Sequence, residues 1–164
     1  MRELFQEIMM TNAREVVFIH VLSAVFWVGG MTVMRFIVQP VLKNIQDEKI
    51  RLARALEIMK SFFAVVQVAI FLLVLTGVVM IMGLDLKNGP LDFYRLVIYK
   101  EAIWGAMTII FAFLAFKRSR AQRYFVSGDI EATRKSIAQI ETVIYVNLLL
   151  GLVAIYIGVM VRGY

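Results

Sequence analysis

The sequence predicts an all-α fold, an integral membrane antiparallel four-helix bundle that forms one domain over residues 1–164. Hydrophobic residues make up 61% of the chain and charged residues 18%, whereas soluble domains average about 45–50% and about 25%. Four apolar stretches are long enough to cross a bilayer, and most basic residues lie in two of the connections between them. A soluble domain of this size would expose too much apolar surface, so soluble, disordered and collagen-like classes are excluded.

The predicted spans cover residues 16–34, 61–84, 96–116 and 142–161. A transmembrane helix needs about 20 largely apolar residues, each adding about 1.5 Å. Lys100 and Glu101 interrupt the third span, and the apolar residues that follow them are too few to cross the hydrocarbon core alone. We therefore expect the third helix to carry Lys100 into the bilayer or to its edge.

The first helix is predicted to begin near Asn12, because Asn12 and Glu15 have the spacing of a capping pair. The preceding residues 1–10 are expected to form a short amphipathic helix at the membrane interface. The first 15 residues contain three acidic side chains and no continuous apolar core. We therefore expect no cleaved signal peptide, so the first span is retained.

Helical periodicity extends beyond the membrane in both basic connections. Apolar residues at helical spacing between positions 50 and 59 predict that the second helix begins well before the bilayer. The third helix is expected to reach about Phe125 and the fourth to begin near Ile130, because residues 127–129 combine a glycine break with an Asp cap. Residues 83–90 are rich in turn formers and predict a tight turn between the second and third spans.

The basic residues orient the helices. The first and third connections hold 12 of the 18 Lys and Arg residues. These are Arg35, Lys43, Lys49, Arg51, Arg54, Lys60, Lys117, Arg118, Arg120, Arg123, Arg134 and Lys135. The positive-inside rule places both connections in the cytoplasm and both termini outside, in the periplasm of a bacterial-type inner membrane. Orientation and contact with anionic lipid account for the net charge of +6, and no nucleic-acid partner is expected.

Metal-ligating side chains are scarce. The chain has no cysteine and one histidine, His20, which excludes disulfides, thiolate sites, a multi-histidine zinc site and bis-histidine haem ligation within one chain. His20 lies five residues after Glu15, and Lys100 lies five residues after Arg95, so both are about 7 Å below the same membrane edge. A costly polar or charged group at this depth is a functional candidate by default.

Two interpretations of His20 and its helix face stay open. His20 either hydrogen-bonds to another helix or ligates a metal or haem iron. Its face continues through Ser23, Ala24, Trp27, Gly30, Met31 and Met34. These residues suit either close helix packing or a notch for a flat cofactor beside Trp27, Gly30 and Met31. Lys100 either extends its ammonium group to the membrane surface or lies partly buried beside an anionic partner.

Other soft and polar residues suggest an alternative metal and additional helix contacts. The chain has ten methionines, and Met31 and Met34 share a helix face, so copper(I) coordination by thioethers is an alternative to haem. Gln67 and Asn147 are expected to hydrogen-bond between helices. The sequence contains no serine-hydrolase, P-loop, dinucleotide-binding or paired-carboxylate pattern.

The motif around His20 resembles two families of membrane proteins. Six residues separate His20 from Trp27, the pair Gly29-Gly30 follows, and Pro40 lies in the segment FIVQPVL. This pattern resembles the first helix of copper resistance protein D-like membrane proteins. It also resembles that of HemJ-type protoporphyrinogen oxidases, which are four-helix inner-membrane proteins.

Two further positions agree with this resemblance. Thr76-Gly77, near the end of the second span, is similar to a threonine–glycine pair in both families, and Lys100 falls where the HemJ type has a lysine in its third helix. The resemblance implies a haem b-binding redox protein with His20 as axial ligand and Lys100 as the residue needed for activity. It also implies oxidation of a porphyrinogen, with electrons passed to quinone.

The copper resistance resemblance implies a different function, which is copper transport or resistance without catalysis. Haem b and copper are therefore the two expected cofactors. The expected partners are the lipid bilayer and a porphyrin-type or quinone molecule, and the formation of a homo-oligomer is left open.

Overall fold

The structure is a computed structural model that describes residues 2–84 and 91–162, with four long helices. These are α1 (Arg2–Lys43), α2 (Glu48–Gly83), α3 (Leu91–Val126) and α4 (Ile130–Arg162). Each contains a stretch long and apolar enough to cross a membrane, and the described residues form no strand. The predicted all-α, multi-pass membrane four-helix fold is thereby confirmed.

The helices form two antiparallel hairpins. Residues 44–47 connect α1 to α2, and residues 127–129 connect α3 to α4. The most extensive packing lies within each hairpin, and smaller contacts of α2 with α3 and α4 join the two. Most of the turn predicted at 83–90 lies outside the described residues. The two short connections lie at one end of the bundle, which we call the basic end because of their Lys and Arg residues.

Side-chain caps define the helix starts at the basic end. An oxygen of Asp47 accepts a hydrogen bond from the backbone N–H of Ile50 at 3.0 Å, and Asp129 accepts one from Ala132 at 2.9 Å. Between α3 and α4, Gly128 has a φ of 81°, which glycine adopts without the steric cost of a Cβ. The break and cap predicted at 127–129 are confirmed, as is the start of α2 well before its predicted span.

Helix α1 is less regular than the sequence suggests. The helix already runs from Arg2, and Asn12 has non-helical φ and ψ of −127° and 29° within it. Asn12 therefore separates a short N-terminal helical segment from the spanning part of α1, which agrees with the predicted helix start at Asn12 and with the short helix predicted before it. Two π-helical turns, Val25–Gly29 and Met34–Val38, follow. Neither turn is predicted by the sequence.

The N-terminal segment of α1 folds against the far end of α2. Met9 is buried, and a Cβ on Gly83 would collide with its side chain and with the Phe5 carbonyl oxygen. The segment predicted to lie at the membrane interface is therefore held by a protein contact on at least one face.

The bundle has a packed interior and an apolar exterior. Large aliphatic side chains such as Ile140 and Ile144 are fully buried, while Phe71 and Ile109 are 65% and 73% exposed, as lipid-facing residues are. Asn147 is buried and donates from Nδ2 to the Met31 sulfur at 3.6 Å, which confirms its predicted contact between helices. The same prediction for Gln67 is wrong, because Gln67 lies on the exposed face of α2.

We predict that Gly151→Leu destabilises the bundle and that Gly105→Leu does not. A Cβ at Gly151 would lie 2.8 Å from Val28 Cγ2 and 3.2 Å from Met107 Cε, whereas nothing lies within 4 Å at Gly105. Overpacking of this kind lowers the free energy of unfolding by about 1–3 kcal/mol. Thermal unfolding in detergent measures the difference, and equal midpoints for the two variants would contradict this packing.

Candidate functional site

The candidate site is built around His20 on α1. His20 is half-buried, and its Nδ1 lies 2.9 Å from the hydroxyl oxygen of Thr76 on α2. Thr76 is 6% exposed, so this contact lies within the bundle. The hydrogen bond joins the two helices of the first hairpin and gives the imidazole a partner inside the apolar layer.

The hydrogen bonds of Thr76 set the tautomer of His20. The Thr76 hydroxyl has a single hydrogen and donates it to the Leu72 carbonyl oxygen at 2.6 Å, one helical turn earlier. When the hydroxyl hydrogen is donated to Leu72, the Thr76 oxygen accepts from His20, and this arrangement requires the imidazole proton on Nδ1. In that tautomer Nε2 is unprotonated, the form in which histidine ligates a metal.

Gly77 provides space beside the imidazole. A Cβ on Gly77 would lie 3.7 Å from His20 Cε1, which is ordinary van der Waals contact. A larger side chain at this position would occupy the volume next to the ring. Thr76 and Gly77 thus act as a pair, because the first orients the imidazole and the second lets α2 approach it.

Lys100 brings α3 and α4 to the same site. It is half-buried, and its charge acts electrostatically on His20. Its Nζ would lie 3.3 Å from a Cβ placed on Gly158 of α4. Lys100 therefore lies close enough to His20 for its charge to act on the imidazole. Each of the four helices contributes at least one residue to this site.

The other predicted cofactor-binding residues lie further along α1 towards the basic end. Trp27 is 2% exposed, and its ring packs edge-on against that of Phe111, with 6.4 Å between the ring centroids. Gly30 is packed so closely that a Cβ would lie 2.8 Å from Phe62 Cε2. Met31 is also 2% exposed and accepts the Asn147 hydrogen bond. All of these contacts are helix packing.

The sequence does not predict the contacts that Thr76 and Gly158 make with His20 and Lys100. It suggests Thr76 only through its resemblance to a family motif, and it gives no signal for Gly158. The one usable signal for Thr76 is its distance from the helix end, since it precedes the last residue of α2, Gly83, by seven positions. That spacing gives a depth close to that of His20, but it does not say which way the side chain faces.

The described part of the chain contains no group of three or more His, Cys, Asp and Glu side chains that could hold a metal ion. Comparison of the chain with protein-family models, with curated proteins and with solved structures finds no match. The site is therefore interpreted from its own residues, which are one imidazole, one ammonium group, a threonine hydroxyl and two glycines.

We predict that Thr76→Val moves the His20 proton from Nδ1 towards Nε2. The valine keeps the side-chain shape and removes the hydroxyl that accepts from Nδ1. Because the chain has one histidine, 15N-histidine labelling reports on this ring alone, and the nitrogen chemical shifts of the neutral ring give its tautomer. Thr76→Ser should restore the native pattern.

Thr108→Val is the matched control for this experiment. The Thr108 hydroxyl donates to the Trp104 carbonyl oxygen at 3.0 Å within α3 and makes no hydrogen bond to His20. We expect this variant to give the native spectrum. A T76V spectrum identical to the native one would contradict the assigned tautomer.

Proposed function

We propose that the protein is a membrane redox protein that binds haem b through Nε2 of His20. The observation that carries this proposal is the hydrogen bond between His20 and Thr76, because it leaves Nε2 unprotonated and orients the ring. Histidines that ligate metals characteristically donate their other ring N–H to such a partner. Thr76 supplies that partner here.

The residues present fit haem better than a metal ion held by protein ligands alone. A haem iron needs one or two axial ligands from the protein, since the porphyrin supplies the rest. Zinc and copper sites need several donors, and the described residues offer no group of three or more His, Cys, Asp and Glu side chains that could supply them. Met31, one of the two methionines predicted as thioether ligands to copper, lies in the core with its sulfur accepting a hydrogen bond from Asn147.

Lys100 gives the site a preference for anions. Its ammonium group is half-buried between α3 and Gly158 of α4, close enough to His20 to act on it electrostatically. A cation held in an apolar layer is strongly stabilised by an anionic partner. We propose that Lys100 binds a carboxylate of a tetrapyrrole and so orients it relative to His20.

The proposed reaction follows the resemblance to HemJ-type oxidases. A bound haem would supply one-electron transfer. His20 holds and orients that group, Lys100 positions the carboxylate-bearing substrate, and the apolar helix faces exclude water around both. The substrate we propose is a porphyrinogen, with a membrane quinone as the acceptor of its electrons and protons.

The proposed location is a bacterial-type inner membrane, with the basic end in the cytoplasm and both termini outside. This orientation is supported by the 12 Lys and Arg residues of the first and third connections. In that orientation His20 and Lys100 lie in the outer half of the bilayer.

We predict that the protein purified in detergent shows haem Soret and α bands and that His20→Ala abolishes them. Thr76→Val should weaken haem binding by about tenfold, as the loss of the partner of a ligating histidine does. Gln67→Ala is the control, because Gln67 is also polar and lies on the exposed face of α2. Absorption spectra and haem titration measure all three variants.

The haem proposal is contradicted if the folded native protein stays colourless after haem is supplied. Native bands in H20A would equally contradict His20 as the ligand. Copper binding by a colourless protein, lost in Met31→Ala and Met34→Ala, would instead support copper handling.

We predict that Lys100→Met lowers porphyrinogen turnover by at least about tenfold while most of the haem is retained. Methionine keeps the length of the side chain and removes the charge, whose bond to a carboxylate is worth about 1.5–3 kcal/mol. The measurement is quinone-dependent oxidation together with the haem content of the same sample. Lys117→Met, at the basic end of α3, is the control with unchanged turnover. Complete loss of haem in K100M would contradict this division of roles.

A further inference from the structure

An open cavity lies at the basic end, away from the His20 site. It measures about 380 Å³ and is lined by residues from the ends of α1, α2 and α4. Leu42, Leu52 and Ile137 give it an apolar base. Its charged lining residues are Lys43, Arg51, Arg134 and Glu141. The site proposed to bind haem uses none of these residues.

Gln39 lines this cavity and carries a buried amide N–H donor that has no acceptor among the described residues. It is 3% exposed, and its Oε1 accepts from a guanidinium nitrogen of Arg35 at 2.8 Å. Its Nε2 is buried and has no hydrogen-bond partner in the part of the chain that the structure describes. A buried amide N–H that lacks an acceptor is unfavourable, so this cavity wall would be stabilised by a ligand oxygen.

The lining charge favours an anion. Three cations, Lys43, Arg51 and Arg134, line the cavity against one carboxylate, Glu141. Glu48 lies 3.7 Å from Arg51 and 3.8 Å from Arg134, which is too far for a hydrogen bond to either guanidinium group. Both arginines therefore retain N–H donors that a ligand could use.

We propose that this cavity binds a phosphate group, carried by the head group of an anionic phospholipid or by a small soluble phosphate. Guanidinium and ammonium groups together with a neutral amide N–H form the donor set that phosphate oxygens accept. Basic pockets between transmembrane helices bind such head groups, and the apolar base of this one suits the glycerol or acyl part of a lipid. The inference does not depend on haem binding.

The test uses the full-length protein, stripped of lipid in detergent. Dioctanoyl phosphatidylglycerol is the anionic probe, dioctanoyl phosphatidylcholine is the probe without net charge, and inorganic phosphate is the soluble probe and competitor. Native mass spectrometry counts bound molecules, and titration gives their dissociation constants. We expect one tight phosphatidylglycerol site whose affinity falls as salt is raised, because the pairing is electrostatic.

Four variants locate the site. Arg134→Gln and Gln39→Leu should each weaken phosphatidylglycerol binding by about tenfold. This is the loss of affinity expected when one hydrogen bond to a charged group is removed. Lys135→Gln is the matched control, since Lys135 is exposed and paired with Glu131 at 2.9 Å outside the cavity. Glu141→Gln should tighten binding because it removes the single acidic lining residue.

The probes also distinguish the source of the phosphate. Displacement of phosphatidylglycerol by inorganic phosphate at the same site supports recognition of the phosphate group itself. Binding of phosphatidylglycerol without such competition supports a lipid head group, and binding of inorganic phosphate alone supports a soluble phosphate. Equal affinity for phosphatidylcholine, or equal losses in R134Q and K135Q, would overturn the proposal, as would weaker binding in E141Q.

Discussion

An imidazole inside an apolar layer requires a hydrogen-bond partner within the protein, and the interior of this bundle is arranged around that requirement. His20 finds its partner in Thr76 of the neighbouring helix, and the Thr76 hydroxyl in turn donates to its own backbone at Leu72. A chain of two hydrogen bonds thus runs from the ring to the α2 backbone. Removing the Thr76 hydroxyl would leave the imidazole without this partner in the apolar layer, so the hydrogen bond adds to the packing that fixes α1 against α2.

Glycines let the four helices approach the two polar side chains of the site. Gly77 lies against the His20 ring, and Gly158 lies against the end of Lys100. A side chain larger than alanine at Gly77 would occupy the volume beside the ring, and a Cβ at Gly158 would require the end of Lys100 to shift. Helices in a membrane associate largely through close packing, because lipid chains are as apolar as the helix surface. The same small residues therefore contribute to stability and keep space beside the candidate ligand.

The fold could be predicted from sequence because it depends on local signals. Apolar length, the caps at Asp47 and Asp129 and the break at Gly128 all act within a few residues. Helix rotation is different, because spans that are apolar on all sides do not reveal which face turns inward. Gln67 and Asn147 illustrate this, since both are polar residues in apolar spans, yet one faces outward and the other is buried. For the same reason the depth of His20 could be predicted while its contact with Thr76 could not.

The two π-helical turns of α1 separate regions of the helix that pack against different partners. Residues before Val25 pack chiefly against α2, whereas the part from Val25 onward contacts α4 as well. Met34 and Gln39 are both buried although they are five residues apart, a spacing that would put them about 140° apart on a regular α-helix. Each π turn accommodates one more residue than an α turn does. Each π turn could lose its extra residue and become a regular α turn, and such a deletion would change the relative rotation of the two packed surfaces by about 100°. The two extra residues therefore set which faces of α1 turn towards α2 and α4.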